Sequence, residues 1–138
     1  MTYYQSYKAV FDRVKSLLQS RSTIKKVILG SPPVITDLPL ALINPETTTI
    51  QQATLGSTIE NRLVFEIIVI VQKTDPADWF EDIISVMGDI VDALMADRTL
   101  NGAAKDVTPV LFAPGEVTLT NAVYYGGLIR FESVFYSS

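Results

Sequence analysis

The residues of this chain with chemistry to offer are acids. Asp78, Glu81 and Asp82 form its one dense acidic cluster, and three carboxylates so close suit a hard cation such as Mg²⁺ or Ca²⁺. The same carboxylates are what the positive end of a helix attracts. Asp75 and Pro76 just ahead of them form a cap and a first helical position, so the plainer reading is a helix N-terminus. Asp89, Asp92 and Asp97 read as a solvated helix face. Glu66 stands isolated in an apolar stretch and reads as a solvent-edge or interface residue rather than a catalytic acid. Fifteen acids offer many candidate pairs for two-carboxylate hydrolysis, but no spacing selects one.

The rest of the inventory excludes more than it offers. The chain has no histidine and no cysteine, which removes Ser-His-Asp triads, imidazole bases, thiolate nucleophiles and Cys- or His-based zinc sites. Gly30-Ser31-Pro32-Pro33 lacks the second glycine and the lysine of a phosphate loop. Gly126-Gly127 lies inside a strand pattern, with no following helix to make a dinucleotide fingerprint. The expectation is a protein that is not an enzyme, with no catalytic residue, cofactor or metal. A net charge of −4 argues against a sequence-specific nucleic-acid partner. The longest apolar run, residues 67–71, is far short of the roughly 20 residues of a membrane span. The first residues carry no cationic, apolar leader, so the expected place of assembly is the cytoplasm.

The elements that would position any site come next. The 138 residues fit one domain, 1–138. With 48% hydrophobic residues and a mean hydropathy of +0.27, the chain is apolar for a soluble monomer, which points to surface buried against partners. Tyr4, Tyr7, Val10, Phe11, Val14, Leu17 and Leu18 recur at helical spacing and predict a helix near Tyr3 to Gln19. Val27 to Leu29 predicts a short strand. Leu38 to Ile43 predicts another, entering a turn at Asn44-Pro45-Glu46. Glu60 to Lys73 is apolar on both faces and predicts a central strand. Phe80, Ile83, Ile84, Met87, Ile90, Val91 and Leu94 predict a second helix, near Ala77 to Met95. Val107 to Phe112 predicts a strand broken at Ala113-Pro114-Gly115-Glu116, and Val117 to Thr120 an extension beyond it. Ala122 to Tyr136 predicts a long last strand, in which Gly126-Gly127 marks a bulge or a close backbone approach. The fold class is α/β: two main helices packed on a mixed, mostly antiparallel sheet.

Residues 47–57 are polar, almost uncharged and longer than a hairpin turn needs. Their threonines favour an extended backbone. An extended arm used in assembly and an idle, flexible loop are the two readings. In the first, Thr48, Thr49, Gln51 and Gln52 hydrogen-bond along a partner while Ile50 and Leu55 fill shallow apolar pockets.

The order of elements, together with Leu94, Asp97, Thr99, Leu100 and Gly102 between the second helix and the next strand, resembles the tail terminator and tail-completion proteins of long-tailed bacteriophages. The resemblance implies a structural virion protein of the tail or neck. It implies a hexameric ring of identical copies that caps the tail tube, ends its polymerisation and presents a head-joining surface. The implied partners are the chain itself, the tail-tube protein and a head-completion or connector protein, with the ring lumen left to the passing genome. The alternative is a head-completion or neck adaptor on the portal side, and after it an unrelated binding module or small enzyme.

Overall fold

The computed structural model describes residues 2–30, 35, 37–52, 58–72, 79–119 and 121–137. Helix α1 spans Tyr3–Gln19 and begins in a capping box: the Gln5 N–H donates to the Thr2 hydroxyl at 3.1 Å, and the Thr2 N–H donates to the Gln5 side chain at 3.0 Å. Two of the orphan donors of the first turn are thereby satisfied. Strands β1 (Lys26–Leu29), β2 (Leu40–Gln52) and β3 (Ile59–Gln72) follow, then α2 (Trp79–Met95), a 3₁₀ turn at Leu100–Gly102, β4 (Asp106–Leu119) and β5 (Ala122–Ser137). One five-stranded sheet runs in the order β1-β2-β3-β5-β4. Only β1 and β2 are parallel; every other neighbouring pair is antiparallel. This is the mixed, mostly antiparallel sheet with two helices that the sequence predicts.

The period-2 pattern of β3 explains its place at the centre. Leu63, Phe65, Ile67 and Val69 are fully buried beneath the helices, together with Ala41, Ile43, Ile129, Phe131 and Phe135 from β2 and β5. From above, α1 contributes Val10, Phe11, Val14 and Leu18, and α2 contributes Ile83, Met87, Ile90 and Leu94. Both helices lie on this one face. On the other face Leu40, Leu42, Ile70 and Tyr124 form a smaller cluster at one end of the sheet.

Three expectations need correction. The turn at Asn44-Pro45-Glu46 is absent: β2 runs on to Gln52 as an exposed strand opposite β3, with the register shifted between Pro45 and Thr48. The break at Ala113–Glu116 is absent as well: these residues pair one by one with Leu128, Gly127, Gly126 and Tyr125 inside β4. Among the described residues both prolines sit where a strand has no outer neighbour, so the missing N–H removes no ladder bond that an inner strand requires. The third concerns the acids. Asp89 and Asp97 are not a merely solvated face. Asp89 accepts from Arg21 and, at 2.6 Å, from Thr23, while Arg13 donates to Asp97 at 2.7 Å. These pairs tie the turn after α1 to α2, and α1 to the turn that follows α2. Asp97 also accepts from the Asn101 N–H at 3.0 Å, where Leu100, Asn101 and Gly102 are successively left-handed. Burial pushes the Asp97 carboxyl up, and these two donors more than offset it, leaving it below its ordinary range. The segment that carries the phage resemblance is thus a braced corner between α2 and β4.

Candidate assembly interface

The acidic cluster does not assemble into a site. Residues 73–78, and Asp78 with them, lie outside the described residues. Glu81 and Asp82 occupy the first turn of α2, and no group of metal-ligating side chains is gathered among the described residues. No described helix is long and apolar enough to cross a membrane.

What stands out instead is the two ends of the sheet. β1 covers β2 only from Leu40 to Ile43. From Asn44 to Gln51 the outer side of β2 has no strand beside it among the described residues. The polar segment singled out from the sequence is this open edge: Thr48 opposes Leu63, Thr49 opposes Arg62, Ile50 opposes Asn61, Gln51 opposes Glu60 and Gln52 opposes Ile59. Thr48 is half-buried, whereas Thr49, Ile50, Gln51 and Gln52 are exposed, Ile50 at 58%. Leu55 falls outside the described residues. Removing Thr48 to Gln52 would strip five rungs from the ladder, so only side-chain changes test the segment without shortening the sheet.

The opposite end is β4, and its binding potential escapes sequence reasoning. Its outer side, from Val107 to Thr118, also has no strand beside it among the described residues. Val110, Leu111 and Phe112 are exposed in succession, at 47%, 39% and 42%. A register shift at Val110 puts Leu111 opposite Arg130 and Phe112 opposite Ile129, so the apolar strip straddles both faces of the sheet. A long edge strand with exposed apolar side chains is a template for pairing. The signal in the sequence was the apolar run itself, which reads equally well as core.

A groove of about 650 Å³ lies beside the open part of β2. Tyr3, Tyr4, Tyr7 and Phe11 of α1 line it, with Leu29 at the end of β1 and Pro45 of β2. Tyr4, on the predicted packing face of α1, is 60% exposed instead and faces this groove.

Glu66 sits apart from the polar edge, opposite Asn44 and Arg130 on the helix-free face. Arg130 donates to Glu46 at 3.2 Å and lies 3.8 Å from Glu66. The two carboxyls share a hydrogen bond. Accepting it holds Glu46 below its ordinary range, against burial and with help from Arg130. Burial, then the same hydrogen bond and the Glu46 charge, push Glu66 up against the pull of Arg130. A carboxyl with a raised folded pKa costs nothing while protonated and destabilises the fold as pH rises through that pKa. Glu66→Gln is therefore expected to melt at the same temperature as wild type near pH 4. It should melt at a higher temperature at pH 7 to 8, as thermal denaturation followed by circular dichroism would show.

The two ends also differ in charge. Residues 1–30, which form α1 and β1, hold six lysines and arginines and one acid; the remaining residues hold five and fourteen. Lys25 and Lys26 are exposed beside β2, and Glu116 and Glu132 lie on β4 and β5.

No family model matches the chain, and no curated protein matches it. Among solved structures it is similar to the bacteriophage SPP1 gp17 protein, at 17% identity and a TM-score of 0.47, over 91% of this chain and 88% of that one.

Proposed function

We propose that this chain is a structural protein of a bacteriophage tail: a ring-forming terminator, hexameric as the sequence resemblance implies, that caps the tail tube, ends its polymerisation and offers the head-joining surface. It carries no catalytic step and no cofactor, and its place is the tail or neck of the virion, assembled in the host cytoplasm. The observation that carries the assembly part is the pair of unlike open edges at opposite ends of one sheet. Among the described residues a single copy leaves the outer sides of β4 and of the far half of β2 without a neighbouring strand, and joining unlike surfaces head to tail closes a ring when the rotation suits. The phage context rests on the sequence resemblance around Leu94 to Gly102. Electron microscopy of lysates from a phage lacking this gene tests the reading. Overlong tails, unjoined to filled heads, are expected. Leaking heads beside free tails of normal length would instead identify a neck adaptor, and normal particles would refute a role in assembly.

A further inference from the structure

We infer that the aromatic groove beside β2 is the seat for the Val110-Leu111-Phe112 strip of the next copy's β4, entering as an added strand on the open Asn44–Gln51 edge. This rests on the ring reading above and assigns its contact residues.

The direction of the strands supports it. β2 is antiparallel to β3, β3 to β5, and β5 to β4, so β4 runs opposite to β2 within the sheet. A copy displaced sideways, its helices kept on the same face, therefore brings its β4 antiparallel to this β2. Two free edges then complete each other's backbone hydrogen bonds. Side chains of an added strand alternate between the two faces. Phe112 opposes the buried Ile129, so it stands on the helix side of its own sheet. In the displaced copy it stands on the helix side of the β2 edge, where Tyr4, Tyr7, Phe11 and Leu29 line the groove.

Charge points to the same partner. The edge that carries Lys25 and Lys26 meets the edge strand bearing Glu116 in a head-to-tail pair. A two-fold pair would set like against like. Complementary potentials favour the first arrangement and penalise the second. The exposed apolar strip and the groove lie at opposite ends of the molecule, so neither can fill the other within one copy.

The test uses the full chain with two exposed substitutions, Leu29→Glu in the groove and Phe112→Glu on the strip, each checked for a wild-type melting curve. By sedimentation velocity, each variant alone should lose self-association. An equal mixture should recover a one-to-one dimer and nothing larger, because each variant keeps one good surface. If a substitution disturbs folding, Leu29→Cys and Phe112→Cys proteins, in a chain otherwise free of cysteine, are mixed with a short bismaleimide. Cross-linked dimers joining the two different variants are expected, without dimers of either variant alone. Either variant self-associating like wild type would overturn the seat while leaving the ring reading intact. A wild-type chain that stays monomeric, with and without assembled tail tubes, would overturn both.

Discussion

Gly126→Ala is expected to leave the chain without a stable fold at 25 °C. Gly126 faces Ile70 across the β3–β5 ladder and Gly115 across the β5–β4 ladder, at the register shift between Ile70 and Gln72. A Cβ there would overlap the Val69 carbonyl oxygen, with Val69 C at 2.7 Å and Ile70 Cα at 3.0 Å. All three are backbone atoms of the central strand, so no rotamer change relieves the clash and the two middle strands must separate. Losses above about 4–5 kcal/mol come from such mechanisms, and typical domain stability is about 5–15 kcal/mol. Gly127→Ala should be somewhat milder. Its Cβ meets the Ala113 carbonyl oxygen at 2.5 Å but otherwise the Met87 side chain, the sulfur at 2.6 Å, and methionine can shift. Gly88→Ala is the control. It lies inside α2 with nothing within 4 Å of an added Cβ, and the helical preference for alanine should raise stability by about 0.5–1 kcal/mol. Soluble yield and thermal melting of the three variants give the ranking.

Phe65→Ala is expected to lower the melting temperature by roughly 10–18 °C without altering any surface residue. Phe65 of β3 and Phe131 of β5 are fully buried, with their rings stacked 5.4 Å apart, and Phe11 of α1 meets Phe65 edge-on at 5.7 Å. Truncating Phe65 opens a cavity beneath α1 that neither rigid strand can collapse to fill, a loss of about 3–5 kcal/mol. The same deletion at Phe112, 42% exposed, should barely move the melting temperature while acting on assembly. A melting curve thus separates the core phenylalanine from the exposed one.

The fate of each proline shows what a sequence of this kind can tell. The period-2 pattern of β3 and, apart from Tyr4, the helical stripe of α1 hold because each is a local pattern imposed by one buried face. Pro45 and Pro114 read as turns because proline breaks inner strands. Whether a strand is inner or outer depends on the order β1-β2-β3-β5-β4, which brings together residues far apart in the chain and leaves no local trace. Half of the candidate interface was legible for the same reason that half was not. Thr48 to Gln52 are polar and uncharged where a buried strand would be apolar, so they stand out. Val110 to Phe112 have the composition of core, and only their place on an edge strand exposes them. Asp89 and Asp97 read as solvent-facing because their partners, Arg21 in the turn after α1 and Arg13 in α1 itself, lie far away in the chain.

The central claim is that the chain joins copies of itself through two unlike sheet edges. Amide hydrogen exchange, compared between the free chain and the chain assembled on tail tubes, tests it most directly. Slower exchange is expected on assembly at both Asn44–Gln51 of β2 and Val107–Phe112 of β4, to a similar degree in every copy. Protection of only one of these edges, as in a two-fold pair, or of neither, would contradict the account.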